Sequence, residues 1–337
     1  VIVLAAADKF KGTATAAQVC AAIGHACWEL GLDCIERPMA DGGEGTLDAL
    51  GGPNRVTTVT GPLGDPVDAQ WRLHKGVAVI EMARASGLTL VGGATGNDAM
   101  AATTQGTGEL IDTALDAGAK KIIVCLGGSA TTDGGLGAVR AIHAPARLKA
   151  VEFLVAYDVD TLFVDAAEVF APQKGATPAQ IELLHKRLER LQQMYEHDYG
   201  VDVSVLNGAG AAGGLAGGLA ALGATLVNGF DLVAEEVGFY DLVKTVDYVI
   251  TGEGFVDEQS FDGKVVGSIC DLAEDADIPM ATICGDIDDE LSDHNYQRAN
   301  AHSLTTLFGE DEAMSRPLQL IEEVATTILQ KITVVGQ

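Results

Sequence analysis

Basic side chains are scarce in this chain: 21 Lys and Arg stand against 48 Asp and Glu, a formal net charge of -27 over 337 residues. That balance excludes nucleic acid and anionic membranes as expected partners, because binding either begins by neutralising phosphates. An acidic surface that keeps the protein soluble is the simpler reading. The six cysteines, Cys20, Cys27, Cys34, Cys125, Cys270 and Cys284, form no CxxC pair and no Cys/His spacing. Zinc-site and thioredoxin-like readings fall away, leaving reduced, mostly buried thiols. The seven histidines are scattered, none inside the glycine-rich segments described below, so hydrolase triads, His-metal sites and phosphohistidine chemistry lose support. Aromatic residues make up only 5% of the chain while glycine occurs 41 times, which favours small-residue packing and tight βα turns. No apolar run is long enough to span a bilayer. The chain opens on Val1-Ile2-Val3-Leu4-Ala5 with neither a basic leader nor a cleavage site, so the cytoplasm is the expected compartment.

Two nucleotide fingerprints are also missing. There is no GxxxxGK[ST], and no GxGxxG follows the first strand. A near-match, Gly208-Ala209-Gly210-Ala211-Ala212-Gly213, lies deep in the chain without the acidic residue a dinucleotide site places downstream, and Gly/Ala composition explains it better. A nicotinamide oxidoreductase is therefore the weaker alternative. G-x-S-x-G is absent too, which counts against a nucleophilic serine.

The length suits two α/β domains with a cleft between them. The first stretch reads as strand Ile2 to Ala7, a loop holding Lys11-Gly12, and an apolar-rich helix from about Thr15 to Leu30 closed by Gly31. A strand near Cys34 to Arg37 then releases the loop Asp41-Gly42-Gly43-Glu44, where Gly45-Thr46 starts a short helix. This is βαβ grammar, with both charged loops at the carboxyl ends of strands. From Arg55 to Met82 the pattern changes to alternation around the turn Gly64-Asp65-Pro66, which predicts an antiparallel hairpin and the start of a second domain. A helix over Thr107 to Ala117 with Thr107 as N-cap, strands Ile122 to Leu126 and Val151 to Val155, and a helix from Thr177-Pro178 to His197 follow. Gly208 to Leu222 reads equally as a buried helix packed through small faces or as a ligand contact. The last third returns to βαβ: strand Tyr248 to Ile250, a loop, helix Val266 to Glu274, strands Met280 to Cys284 and Ser303 to Leu307, and helix Pro317 to Lys331. The expected division is a discontinuous Rossmann-like α/β domain of residues 1–55 plus 245–337, a parallel sheet, with residues 56–244 inserted as a second α/β domain and the active site in the cleft.

Six segments set glycines beside carboxylates or lysines: Asp8-Lys9-Phe10-Lys11-Gly12, Ala40-Asp41-Gly42-Gly43-Glu44-Gly45, Gly127 to Gly135, Pro172-Gln173-Lys174-Gly175, Gly208 to Gly214, and Thr251-Gly252-Glu253-Gly254 with Asp257 and Lys264 beyond it. Glycine lets main-chain N–H groups turn toward phosphate oxygens, while Lys and Asp/Glu supply counter-charge and metal ligands. Phosphoryl transfer from ATP needs donors for the phosphates, carboxylates for Mg²⁺ and a carboxylate at the accepting hydroxyl, and all three are present. One lysine alone reads as a solvated surface charge and one carboxylate alone as a turn-former or cap. Their repetition in glycine loops argues for a site. Gly127 to Gly135 is the most informative segment, since Ser129, Thr131 and Asp133 follow a buried strand and combine hydroxyl, N–H and carboxylate contacts.

Asp8 to Gly12, Met39 to Thr46, Gly106-Thr107-Gly108-Glu109-Leu110-Ile111, Gly127 to Gly135, Pro172 to Ala176, Gly208 to Leu215 and Thr251 to Gly254 occur in this order. Together they resemble the bacterial type I glycerate kinase family over nearly the whole chain. The resemblance implies a two-domain α/β kinase that uses ATP and Mg²⁺ to phosphorylate D-glycerate, with the 2-phosphate favoured as product. Such a substrate carries one carboxylate and two hydroxyls, so its pocket needs cations and acceptors. Lys11 and Lys264 are assigned to anion contacts, and Asp8 and Asp41 to Mg²⁺ or the accepting hydroxyl. Gly127, Gly128, Ser129 and Thr131 cradle phosphate, with Asp133 and Lys174 beside them. Glu44, Glu253, Asp257 and Gln259 are assigned to substrate. The chain departs from the family pattern at Thr161, where Asn is usual, at Phe255, where Arg is usual, and in the shorter segments 142–151 and 162–170. Alternatives are a kinase of another small hydroxy acid and a non-catalytic nucleotide- or metabolite-binding relative. A homodimer is compatible with the sequence.

Overall fold

The computed structural model describes residues 1–335, so the last two positions of the expected 245–337 segment lie outside the described residues. The chain divides into two compact units, Val1–Asp41 with Phe230–Gln337 and Gly42–Gly229. The sequence reading drew its boundaries at 55/56 and 244/245. Residues 42–55 go with the second unit because Glu81 holds the start of the helix Thr46–Ala49: its Oε1 accepts from the N–H groups of Gly45 at 2.8 Å and Leu47 at 2.9 Å.

The first unit is built on a parallel sheet of β1 (Ile2–Ala5), β2 (Asp33–Glu36), β9 (Tyr248–Val256), β10 (Met280–Ile287) and β11 (Ala301–Ser303), in the order β11-β10-β9-β1-β2. Val3, Leu4 and Ala5 are fully buried, as a central parallel strand covered on both faces requires. The helix Ala16–Glu29 starts at a capping box in which Thr15 and Gln18 satisfy each other's main-chain N–H. Its Val19 and Ile23 join Ile250, Ile283, Leu320, Ile321 and Leu329 in one core, the last three from the helix Pro317–Val335. Because all five strands run the same way, the segments leaving β1, β2 and β9 open at one edge of the sheet.

Two expectations are corrected here. Thr251 to Gly254 is not a loop; it lies inside β9, paired with Thr282, Ile283 and Cys284 of β10. Glycine serves close approach rather than a turn, since a Cβ on Gly252 would stand 2.2 Å from the Ile283 carbonyl oxygen. Ser303 to Leu307 is not a strand either. β11 ends at Ser303, whose hydroxyl accepts from the Thr306 N–H at 3.0 Å and caps the helix Leu304–Phe308.

The second unit carries a mixed sheet of β3 (Arg55–Thr60), β4 (Pro66–His74), β5 (Val77–Glu81), β6 (Lys121–Cys125), β7 (Glu152–Tyr157) and β8 (Thr225–Asn228), in sequence order. The pairs β3-β4 and β4-β5 are antiparallel, as the alternating pattern predicts, and the rest are parallel. The next helix runs Gln105–Asp116 with Thr104, not Thr107, at the cap position. The Thr104 hydroxyl accepts from the Ala138 N–H, whereas Thr107 sits inside the first turn with its hydroxyl 2.8 Å from Ser86 Oγ. The long helix Pro178–Tyr199 begins at a Thr177/Gln180 capping box and buries Leu184, Leu188, Leu191 and Tyr195. Gly208 to Leu222 forms the helix Ala211–Ala221, interrupted by left-handed backbone at Ala212, Gly213 and Gly214. A Cβ on Gly213 would lie 2.0 Å from the Thr131 carbonyl oxygen, so this segment packs bare backbone against the Gly127–Gly135 loop. All six cysteines are free thiols, and only Cys34 among them is not buried. No described helix is long and apolar enough to cross a membrane.

Candidate active site

Each unit gathers its own cluster of the residues expected to carry chemistry. In the first, the chain leaving β1 still follows β9, with the Asp8 N–H donating to the Gly252 carbonyl at 2.8 Å, and this holds Asp8 at the sheet edge, 5% exposed. The segment after β2 runs alongside through Met39 N–H to the Ala7 carbonyl, 3.0 Å, which leads Asp41 to the same edge. Glu253 enters from β9. Burial pushes the Asp8 carboxyl up to about 7; Lys9, its Nζ 3.6 Å from Asp8 Oδ1, opposes the rise and Asp41 adds to it. Burial also pushes Glu253 up to about 7, the Ser260 hydroxyl and Lys264 opposing and Asp8 and Asp41 adding. Glu253 Oε1 is buried with no hydrogen-bond partner among the described residues. Three carboxylates and Lys264 thus share one electrostatic environment. A buried all-oxygen set suits a hard cation such as Mg²⁺, and Asp8 and Asp41 would hold it.

Not every expected residue is committed to that cluster. Lys11 is exposed, next to Gly12 at φ +82°. Asp257 caps the short helix Glu258–Phe261, accepting from the Ser260 N–H at 2.9 Å, and Gln259 is exposed on the same turn. Lys264 occupies the cap position of the helix Val265–Asp275.

In the second unit the loop leaving β6 is fastened on both flanks. The Gly128 carbonyl accepts from the Leu88 N–H at 2.8 Å and the Ala130 N–H donates to the Ser86 carbonyl at 3.0 Å. Glycine is required twice: a Cβ on Gly127 would stand 2.9 Å from Gly43 Cα, and one on Gly128, at φ +62°, would stand 2.6 Å from Glu44 Oε1. Lys174, 2% exposed, points its amine into the loop, donating to Ser129 Oγ at 2.7 Å and the Thr131 carbonyl at 2.6 Å. Burial drives its pKa down to about 7, with Asp133 opposing. The amine, satisfied by the loop, holds the loop's shape. Asn97, which the sequence gave no reason to select, ties the Ala130 and Lys174 carbonyls together at 2.9 Å each. The buried Oγ1 atoms of Thr131 and Thr132 have no partner among the described residues, so the loop retains unused polar capacity.

Asp133 is a scaffold. Its Oδ2 accepts from the Thr104 N–H and hydroxyl at 2.9 Å each and from the Gly137 N–H at 3.1 Å, while Oδ1 accepts from the Gly135 N–H at 3.1 Å. Asp133→Ala should cost roughly 2–4 kcal/mol through these lost bonds, checked by urea denaturation. A loss of activity with stability kept would place the carboxylate on a ligand instead. Glu81 and Arg84 were also missed; Glu81 Oε2 accepts from Arg84 Nε at 2.9 Å while Oε1 holds the Gly45 turn. The available signal was a lone carboxylate ending the apolar run Val77-Ala78-Val79-Ile80.

An α/β fold with a glycine-rich loop braced by a buried lysine, and a separate cluster of desolvated carboxylates, suits a phosphotransferase, and the relatives place the chain in that class. The chain belongs to the glycerate kinase family, whose family model matches residues 3–146 and 142–333. Glycerate kinase of Halalkalibacterium halodurans is 37% identical, covering 97% of both chains. Glycerate 2-kinase of Escherichia coli K12 is 37% identical over 86% of each. A crystal structure assigned to glycerate kinase 2 of Salmonella typhimurium LT2 superposes with a TM-score of 0.84 at 34% identity, covering 100% of this chain and 99% of that one.

Proposed function

We propose that this chain transfers the γ-phosphoryl group of ATP to D-glycerate, with Mg²⁺ as the metal and 2-phosphoglycerate as the product. The observation that carries the reading is the convergence of Asp8, Asp41 and Glu253 on one sheet edge, with Asp8 and Glu253 desolvated by burial. Asp8 and Asp41 would hold the cation, and Glu253 accepts the proton of the reacting hydroxyl, its pKa of about 7 suiting a general base. When bound, Mg²⁺ draws off charge developing on the transferred phosphoryl group. Gly127, Gly128, Ser129 and Thr131 present N–H and hydroxyl groups to phosphate, in a loop whose shape Lys174 fixes. Lys11 and Lys264 supply positive charge for the substrate carboxylate and phosphates, and Glu44 accepts from a substrate hydroxyl.

A second acceptor is favoured by one feature. Phe255, 51% exposed and two residues beyond Glu253 on β9, stands where the family pattern has arginine. Side chains two apart on a strand share a face, so apolar surface replaces a cation there. ADP release measured across a panel of small hydroxy acids, with phosphorus NMR of each product, tests both readings. We expect glycerate-dependent ADP and a single 2-phosphate signal. Faster turnover of a hydroxy acid with a larger apolar end would move the assignment to that acid. ADP release with none of the acceptors would leave only a binding function.

A further inference from the structure

The second unit contains a cavity of about 530 Å³ to which the proposed reaction assigns no ligand. That volume falls in the range of sites that enclose small organic molecules. Arg140 and Arg187 both line it, from the helices Leu136–Ala141 and Pro178–Tyr199. Its two lining carboxylates are already used. Asp133 accepts the four hydrogen bonds described above, and Glu109 accepts from the Thr60 N–H at 2.7 Å, the Thr60 hydroxyl at 2.8 Å and Gln105 Nε2 at 2.8 Å. Neither forms an ion pair with an arginine of the cavity. Arg187 has a single bond, to the Met100 carbonyl at 3.1 Å, and Arg140 makes no hydrogen bond or ion pair among the described residues. In a chain with a net charge of -27, two arginines that line one cavity without carboxylate partners leave positive charge there for an anion.

The cavity wall is closely packed at one point. A Cβ on Gly137 would stand 2.2 Å from Thr103 Oγ1 and 2.7 Å from the Gln105 nitrogen. His143, at the rim, is paired with Asp112 at 2.8 Å and falls where the two matched segments of the family model meet, residues 142–146.

We propose that this cavity binds a phosphate-bearing small molecule, held by the planar guanidinium groups of Arg140 and Arg187. Asp133 belongs both to the cavity wall and to the Gly127–Gly135 loop, so an occupant there bears on the loop through one shared side chain.

Titration calorimetry on the full chain tests this with three probes: a non-hydrolysable ATP analogue, 2-phosphoglycerate and inorganic phosphate. At least one should bind saturably. Arg140→Glu should weaken that probe at least tenfold, Arg187→Ala should weaken it severalfold, and Arg147→Glu, a surface arginine paired with Asp116, should leave it within twofold. If only the nucleotide responds to Arg140→Glu, the phosphate is the nucleotide's own. If 2-phosphoglycerate or inorganic phosphate responds, the occupant is a free anion. The absence of saturable binding by every probe overturns the proposal, as does affinity unchanged by both Arg140→Glu and Arg187→Ala. Because binding is read rather than turnover, the outcome is independent of whether glycerate is the acceptor.

Discussion

Asp8→Asn is expected to lower kcat/KM for phosphoryl transfer by about a thousandfold or more, the scale of losing a principal electrostatic group in a closed site, while leaving the fold at least as stable. Both halves follow from one observation. The Asp8 carboxyl is almost wholly buried and titrates near 7 rather than at the ordinary 3.8, first because it is desolvated and further because Asp41 faces it. Glu253 is raised to about 7 from 4.5, again mainly by burial. In the pH interval between those ordinary values and 7, the native chain binds protons that the unfolded chain has released. Stability from these groups is therefore complete below about 4 and is lost as pH rises through 7. Removing one negative charge should flatten that slope, so the melting temperature of Asp8→Asn should match wild type at or below pH 4 and exceed it at pH 8. Millimolar Mg²⁺ should raise the wild-type value at pH 8 and have little effect on the variant. A variant with near-normal turnover removes Asp8 from the reaction. One that melts earlier at pH 8 would show that its charge is compensated after all.

Lys174→Met should lower kcat by about a hundredfold, as expected when a catalytic loop shifts by about an ångström, with KM for the nucleotide moved far less. It should also cost roughly 2–4 kcal/mol of stability, because the Ser129 hydroxyl and the Thr131 carbonyl are left without their donor in a buried site. The pH dependence has the opposite sign to that of Asp8. A lysine depressed from 10.5 to about 7 stabilises the fold fully above the unfolded value, and that contribution is lost as pH falls through 7. The gap between wild type and Lys174→Met should therefore be wider at pH 9 than at pH 6, read from denaturation at the two values. A gap that is constant across pH would mean that the amine remains charged in the fold. An unchanged kcat with a raised nucleotide KM would make Lys174 a direct ligand.

Much of this arrangement was legible because it rests on periodicity. The alternation from Arg55 onward gave β3 to β5, and continuous apolar runs ending in charged loops placed Asp8, Asp41 and Ser129 at strand ends. What escaped has a common physical origin: glycine marks both a turn and a close approach, and spacing alone does not separate them. Gly252 and Gly254 therefore read as a loop although they lie in β9, where Gly285 of the neighbouring strand approaches the Gly254 carbonyl so closely that a Cβ would stand 2.4 Å from it. Repeated threonines hid the helix start, since Thr103, Thr104 and Thr107 all suit a cap and only the position of Asp133 selects Thr104. β8 is four residues with no fully buried position, so it lacks the apolar signal of a strand. Glu81 and Asn97 act across long stretches of sequence on main-chain groups, a relation that no local pattern records.

The parallel order β11-β10-β9-β1-β2 also sets a constraint on biosynthesis. β1 lies between β2 and β9, and the Ile2 N–H bonds to Asp247 across 245 residues. As the chain leaves the ribosome, the apolar β1 must wait with its β9-facing edge open until the whole of Gly42–Gly229 has been made. The intervening unit holds its entire sheet within its own span and is free to fold in that interval. The carboxylate cluster needs Glu253 from β9, so it is complete only when the last third of the chain arrives. Until then the nascent chain holds a finished glycine loop and an incomplete carboxylate cluster.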